Sequence, residues 1–362
     1  MISTETSCRR APLKTPRSQL DLKNTSLDSL VRVNEDACLR IANFLSTQEV
    51  PLDQEESSLP GFARGFTGNF FLALVAICHQ TTPRGQPPLE GRVAGVLRRG
   101  WDYLLARLES AARRDLSLLT PQRWSCISTD EVRQLFRDRD LGDRLTSPGH
   151  RAELLRDLGQ TMMAEDWPFA DTLYDRCGGW IARGDPNLLQ LLSRFRAYDD
   201  PVRKKSYLFL ALMRNSGIWH YADDESLGPP VDYHEVRGHL RLGTVYIHDP
   251  VVLEKVRSNH KVTCAEDVVI RQAVHDAIML ISEHSGIRNP SQMHYLFWNL
   301  FRSICTREEP QCFALRPGSR VPHRYSHLLA RDGVNLCPFA TLCQSAGSPD
   351  PICEHVFETD YY

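Results

Sequence analysis

Apolar residues recur along most of this chain at intervals of three and four, the spacing of one face of an α-helix. The pattern is clearest in residues 69–79, where Phe71, Leu74 and Cys78 share a face. Proline disfavours helical backbone at the residue before it, so we expect this helix to end before Pro83. Almost nothing is typical of a strand. The same spacing predicts further helices in residues 26–45, 207–213, 263–281 and 293–301.

Residues 91–196 are predicted to be a run of helices joined by short turns. Ser128 and Glu131 have the spacing of a capping box, in which each side chain accepts a hydrogen bond from the other residue's free backbone N–H. Ser147 and Pro148 indicate another helix start, because proline suits the first helical position. Two more polar stretches are predicted to lie outside the helices: a disordered tail in residues 1–25 and a linker in residues 48–61.

The composition also indicates the cellular compartment. The 362 residues allow two or three domains, and no apolar run is long enough to span a bilayer. The polar first residues lack the apolar core of a secretory signal. Eleven cysteines, an odd number in a chain of this length, argue against a disulfide scaffold. We therefore expect a monomer of the cytosol or nucleus, not a secreted or membrane protein.

Four cysteines near the end of the chain are candidate metal ligands. Cys305 and Cys312 are spaced C-x6-C, and after 24 residues Cys337 and Cys343 are spaced C-x5-C. Thiolates are the ligands that iron–sulfur clusters and zinc both take, so the spacing leaves both open, along with reduced structural cysteines. Cys353 lies ten residues further on and could replace one of the four.

Two lysines precede the apolar run of residues 207–213, which lacks a polar side and is predicted to be a buried helix. The positive end of the helix dipole disfavours a cation there. Lys204 or Lys205 would therefore ionise less readily than usual, which suits a nucleophilic amine. The alternative is two surface lysines at a helix start.

Asp232 follows two prolines and precedes Glu235 by three residues. An aspartate at this spacing can cap the helix that begins after it, so a structural role alone would explain it. An aspartate at such a position can equally be a functional carboxylate. The residues alone leave both roles open.

Taken in order, these stretches resemble the endonuclease III branch of the helix-hairpin-helix DNA glycosylases. That family's cluster loop runs C-x6-C-x2-C-x5-C; here the outer spacings match and 24 residues replace the central two. The turn His79-Gln80-Thr81 is similar to the end of the family's first helix. Val231-Asp232-Tyr233-His234 begins an element similar to its Val-Asp-x-His-x-x-Arg, with Arg237 in the last place. The family's hairpin glycines are absent before Lys204, where the sequence is closer to the archaeal 8-oxoguanine glycosylases.

The resemblance implies an all-α fold, the two-domain helical glycosylase fold with an iron–sulfur cluster loop. Residues 26–64 and 229–362 would form the cluster domain and residues 65–228 the central domain, with the ligand cleft between them. A [4Fe–4S] cluster of structural role would be held by Cys305, Cys312, Cys337 and Cys343.

The resemblance also assigns roles in the cleft. Asp232 would be the catalytic carboxylate, with Lys204 or Lys205 as the nucleophile. Gln80 would enter the gap left by an extruded base, and His79 beside it would contact nucleic acid or the base.

The implied function is a DNA glycosylase, with or without abasic-site lyase activity. One alternative is an enzyme of the same fold that acts on a nucleoside, a nucleotide or an RNA-derived base, as in queuosine salvage proteins. The net charge of −2 and the absent hairpin glycines favour this alternative. Another is a non-catalytic protein that binds nucleic acid and carries a cluster. The insert, residues 313–336, has cations and a tyrosine that could contact phosphates or form a solvated loop.

Overall fold

The computed structural model describes residues 30–50, 61–287, 289–314, 328 and 336–362. The predicted tail of residues 1–25, most of the linker and most of the 313–336 insert lie outside the described residues. The strands are β1 (Val31–Val33), β2 (Glu90–Val93), β3 (Val96–Arg99) and β4 (Val245–Ile247). The helices are α1 (Glu35–Ser46), α2 (Arg64–Ala76), α3 (Gly100–Ala112), α4 (Pro121–Ser125), α5 (Thr129–Leu135), α6 (Pro148–Ala164), α7 (Asp171–Arg176), α8 (Leu188–Leu192), α9 (Lys204–Asn215), α10 (Tyr233–Leu242), α11 (Pro250–Arg257), α12 (Cys264–Ser285) and α13 (Pro290–Ser303).

Helices dominate the described residues, and the strands form only two antiparallel pairs, β1 with β4 and β2 with β3. This confirms the predicted all-α class at the level of secondary structure. Across the described ranges, no helix combines the length and the apolar character that crossing a membrane would need.

The first hydrophobic core is built around α2 and includes α3 to α9. Residues 67–76 are all buried, so α2 runs through the middle of this core. Its one strongly polar buried side chain, Asn69, donates to the carbonyls of Leu119 (2.9 Å) and Pro168 (3.1 Å) and accepts from the amide of Ala170 (2.8 Å). Asn69 therefore joins three segments, and both polar atoms of its own side chain are hydrogen-bonded.

The second core combines β1 and α1 with β4 and α10 to α13. α10 and α13 approach closely at Gly238, where an added Cβ would lie 2.1 Å from the ring of Phe301. Any larger side chain at this position would force the two helices apart. Gly238 therefore fixes the distance between the helix that follows Asp232 and the helix that precedes Cys305.

The predicted helix of residues 26–45 is wrong at its start. Val31–Val33 form β1, paired in register with Val245–Ile247, and Asn34 then caps α1 by accepting from the amide of Ala37. Two β-branched residues flanking a polar one suit an edge strand. The apolar side chains that suggested a helix here instead belong to a strand whose partner lies more than 200 residues away.

The predicted run of helices is also wrong over residues 91–99. Glu90–Val93 and Val96–Arg99 form a hairpin, and its two turn residues, Ala94 and Gly95, both have positive φ (49° and 81°). Two such residues are what a tight hairpin turn requires, and the glycine supplies one of them without strain.

Several predicted helix boundaries are confirmed. Ser128 and Thr263 each form a complete capping box, and Pro148 begins α6. The helix before Pro83 ends at Ala76, and the helix predicted from the apolar run of residues 207–213 is α9, most of which is buried.

Candidate functional site

The four cysteines of the predicted cluster loop line one cavity. Cys305 follows α13, and Cys312, Cys337 and Cys343 complete the set. The remaining walls come from the last turn of α13, from Pro310 and Ala340, and from one face of α10. The structure thus brings together two cysteine pairs that are 24 residues apart in sequence.

Backbone hydrogen bonds hold the two pairs together. The amides of Leu336 and Cys337 both donate to the carbonyl of Cys312, at 2.9 and 3.0 Å. The amide of Gln311 donates to the carbonyl of Ile304 at 2.8 Å, which turns the chain back beside Cys305. These bonds place the ends of the insert side by side, so its length does not separate the cysteines.

Two thiols of this cavity, those of Cys337 and Cys343, are hard to ionise on their own. Burial raises the pKa of Cys343 to about 11, and burial together with the neighbouring thiolates raises the pKa of Cys337 further. A bound metal removes this cost because it replaces the proton. Of the described histidine, cysteine and acidic side chains, no three are arranged to hold a metal ion. The four cysteines nevertheless lie close enough together for the charges of Cys305, Cys312 and Cys343 all to act on the thiol of Cys337.

A buried arginine lies against this cavity. The guanidinium of Arg241 donates from Nη1 to Cys305 Sγ (3.3 Å) and from Nη2 to Cys353 Sγ (3.5 Å). Its other bonds go to backbone carbonyls, and no carboxylate pairs with it among the described residues, although it is 1% exposed. A buried charge needs a compensating charge. Negatively charged metal-bound thiolates would supply it. Cys353 does not line the cavity.

Asp232 is the N-cap of α10, as its sequence predicts. Its Oδ1 accepts from the amide of His234 (2.7 Å), and its own amide donates to Glu235 (3.1 Å), which completes a capping box. Its second oxygen, Oδ2, accepts from the indole Nε1 of Trp298 at 3.0 Å. Both carboxylate oxygens are therefore held in place, one by α10 and one by α13. The carboxylate is buried but not sealed, with 8% of the residue exposed.

Glu235 lies immediately behind this carboxylate. It is fully buried, and its Oε1 contacts Nδ1 of His294 on α13. Burial raises the pKa of Glu235 well above its usual range, and the charge of Asp232 raises it further. Glu235 therefore favours its protonated form, with the proton held towards His294.

The structure separates the two lysines. Lys205 is fully buried, and its Nζ donates to the carbonyl of Ala76 at the end of α2 (2.6 Å). Burial lowers its pKa to about 8. Lys204 Nζ instead lies 3.5 Å from Cys78 Sγ, and its charge acts on both His234 and Glu235 at the start of α10. Lys204 is thus the amine that faces the Asp232 end of α10.

His79 and Gln80 follow α2, as predicted. Gln80 has a positive φ of 46°. Its side-chain Nε2 donates to the carbonyl of Thr359 (2.8 Å), and its backbone N–H donates to the carbonyl of Tyr362 (3.2 Å). Its side chain is engaged by residues 359–362 and does not project freely. His79 is 2% exposed, and among the described residues neither ring nitrogen has a hydrogen-bond partner. Burial, and then Arg151, lowers its pKa well below the usual range, so the ring is neutral.

A buried ionic network joins the two cores beside this site, and our sequence analysis did not predict it. Arg271 of α12 makes a two-bond contact with Asp200 (2.9 Å each) and a third with Asp267 (2.9 Å). Asp267 also contacts His355 (2.8 Å) and the hydroxyl of Tyr362 (2.5 Å). The i, i+4 spacing of Asp267 and Arg271 was the one available sequence signal.

The same network fixes the start of α9. Asp200 Oδ2 accepts from the amide of Lys204 at 2.9 Å while it pairs with Arg271. Arg203 before it has a left-handed φ of 62°. The position of Lys204 thus depends on an ion pair that reaches from one core to the other.

A scan against models of known protein families and a search of curated proteins both find no match for this chain. The function is therefore inferred from the geometry of the site.

Proposed function

We propose that this protein is an N-glycosylase that cleaves the bond between a nucleobase and its sugar. The observation that carries this proposal is the placement of Asp232. Its carboxylate is held by both α10 and α13, and the amine of Lys204 acts electrostatically on the same end of α10.

The chemistry needs one acid side chain and one amine. As the base leaves, the sugar develops positive charge, which the carboxylate of Asp232 stabilises because it is already oriented. Lys204 attacks the sugar carbon C1′ and forms a Schiff base, which can lead to strand cleavage when the substrate is DNA. If water attacks instead, Asp232 accepts its proton and only the base is released.

Cys305, Cys312, Cys337 and Cys343 would hold a [4Fe–4S] cluster. The four cysteines line one cavity and keep the outer spacings of the cluster loop that they resemble, which supports a cluster; a single zinc ion is the alternative. The buried charge of Arg241 fits the negative charge of such a centre. When bound, the cluster would cross-link the loop and so fix α13. Its role would be structural, because glycosidic cleavage itself transfers no electrons.

The first candidate substrate is a damaged or modified base in DNA. The second, a nucleoside, nucleotide or RNA-derived base, is favoured by Gln80. A residue that fills the gap left by an extruded base in a duplex must project from the surface. The side-chain amide of Gln80 instead donates a hydrogen bond to the carbonyl of Thr359. Lys204 and Lys205 are 7% and 0% exposed, which also suits a small substrate better than a phosphate backbone.

The test measures release of free base from lesion-containing duplexes and from a panel of nucleosides and nucleotides. We expect Asp232→Asn to abolish release without unfolding the protein, because asparagine also caps helices. Borohydride trapping on abasic DNA, compared between Lys204→Ala and Lys205→Ala, identifies the amine. Base release that Asp232→Asn leaves intact would exclude Asp232 as the catalytic carboxylate. A wild-type protein that releases no base from any substrate of the panel would contradict the proposal and favour a non-catalytic binding protein.

A further inference from the structure

A cysteine and a lysine meet between α2 and α9. Cys78 lies two residues beyond the end of α2, Lys204 is the first residue of α9, and Nζ and Sγ are 3.5 Å apart. Both ends of this contact are fixed, because the amide of Lys204 is held by Asp200 and the amide of Cys78 donates to Val75. The two reactive atoms therefore stay close together in the folded protein.

The surroundings of the sulfur are positively charged. Lys205 and Arg151 both lie close enough for the Cys78 thiolate to favour their charged forms. Cations beside a cysteine are the setting in which the nucleophilic thiolate forms. Cys78 and Lys204 are 8% and 7% exposed, so both are largely buried but still open to a small oxidant.

We propose that Cys78 and Lys204 form a redox modification site, at which a hydroperoxide links the two side chains covalently. The sulfur of Cys78 first attacks an oxygen of the hydroperoxide and the O–O bond breaks, which gives a sulfenic acid and releases an alcohol, or water when the oxidant is hydrogen peroxide. The uncharged amine of Lys204 then attacks this sulfur. An S–N bond forms, the S–O bond breaks, and the hydroxyl leaves as water with a proton from the amine.

The link would change the site in two ways. Lys204 would lose its charge and its nucleophilic lone pair, and α2 would be tied to α9. A thiol reductant reverses the link, because it attacks the sulfur and returns the amine. The link itself does not depend on the proposed glycosylase activity, although that activity would be switched off by it.

The experiment treats the purified full-length protein with hydrogen peroxide and digests it with trypsin without reductant. We expect a cross-linked species that joins the peptide of residues 65–84 to the peptide that begins at residue 204. It is two hydrogen atoms lighter than the sum of the two peptides. Dithiothreitol should restore both peptides. The proposal would be overturned if oxidised wild-type protein lacked this cross-linked species. It would also be overturned if the cross-linked species were one oxygen atom heavier than expected, because the link would then not be a direct S–N bond.

Two variants and one internal control sharpen the result. Lys204→Arg keeps the charge but lacks a comparable amine, so Cys78 should now be trapped by dimedone as a sulfenic acid. Cys78→Ser should give neither product. Cys38 is also buried, but its thiol donates to the carbonyl of Thr244 (3.8 Å) and hydrogen-bonds to no lysine among the described residues, so its peptide should stay unlinked. Equal dimedone labelling of Cys78 in the wild type and in Lys204→Arg would show that the amine does not react.

Discussion

The indole nitrogen of Trp298 donates a hydrogen bond of 3.0 Å to Oδ2 of Asp232. Trp298 is on α13, and the same helix leads into Cys305 at the cysteine-lined cavity. The other carboxylate oxygen is held by α10. The orientation of Asp232 therefore depends on how α13 packs, and the cysteine cavity helps to set that packing.

Replacing this tryptophan should weaken the site without emptying the core. Trp298→Phe keeps most of the apolar volume but removes the donor to Asp232, a loss of about 1 kcal/mol for a typical hydrogen bond. We expect base release to slow by about fivefold with little change in KM, since about 1.4 kcal/mol corresponds to a factor of ten in rate. Trp180→Phe is the matched control, because Trp180 is partly exposed (37%) and does not contact Asp232. Equal rates in the two variants would mean that the hydrogen bond does not orient the carboxylate.

The capping role of Asp232 can be separated from its charge. Asparagine is as good a cap as aspartate, so Asp232→Asn should unfold at nearly the wild-type denaturant concentration. Asp232→Ala loses the cap and should cost about 1–2 kcal/mol of unfolding free energy. Urea unfolding of the three proteins measures this difference. A large loss of stability in Asp232→Asn would point to a structural need for the charge itself.

The buried ion pair between the cores should matter greatly for stability. Asp200→Asn leaves Arg271 partly uncompensated at a fully buried position, and we expect a loss of about 3–5 kcal/mol. The exposed pair Arg183–Glu225 is the control, and Glu225→Gln should cost no more than about 1 kcal/mol. Denaturant unfolding compares the two variants directly. Similar small losses would indicate that Arg271 finds other partners.

Glu354 predicts a pH dependence of stability. Burial alone raises its pKa, but Arg237, Arg307 and Arg84 outweigh burial and lower it to about 2 from the usual 4.5. Because the folded-state pKa is the lower one, the stabilisation is fully present above about pH 4.5 and is lost as the pH falls towards 2.

The matched variant for this effect is Glu354→Gln. Its deficit in unfolding free energy relative to the wild type should be largest near neutral pH and should shrink between pH 4.5 and 2. Urea unfolding at several pH values measures it. A deficit that does not change over this range would exclude the Glu354 carboxylate as its source.

The cysteines should differ in their effect on bound metal. Cys312 lines the cavity, whereas Cys353 lies outside it against Arg241. We expect Cys353→Ser to keep its iron, sulfide and visible absorbance, and Cys312→Ser to lose most of them. Metal analysis of freshly purified protein also distinguishes iron from zinc. Loss of iron in Cys353→Ser but not in Cys312→Ser would show that Cys353, and not Cys312, is a ligand.

The sequence was informative where local chemistry decides the structure. The capping boxes at Ser128, Thr263 and Asp232 each depend on residues within one turn, and the structure forms all three. Contacts between distant residues carry no such local signal. The pairing of Val31–Val33 with Val245–Ile247 could therefore not be predicted, and these three residues form a strand where a helix was expected.

The site shows the same limit. Asp232 and the cysteines could be chosen from spacing and residue type, but the contact of Gln80 with Thr359 bridges 279 positions. The pairing of Arg271 with Asp200 bridges 71. Neither has a periodic pattern that would reveal it, and together they determine how Gln80 and Lys204 are presented.

Asp200 binds the guanidinium of Arg271 and the first amide of α9 at once. Moving the two cores apart would take the guanidinium from this buried carboxylate, while the amide of Lys204, which is in the same core as Asp200, would stay bound to it. A hinge between the cores would therefore be costly to open at this point, and we expect a ligand to enter by shifts of individual loops and side chains.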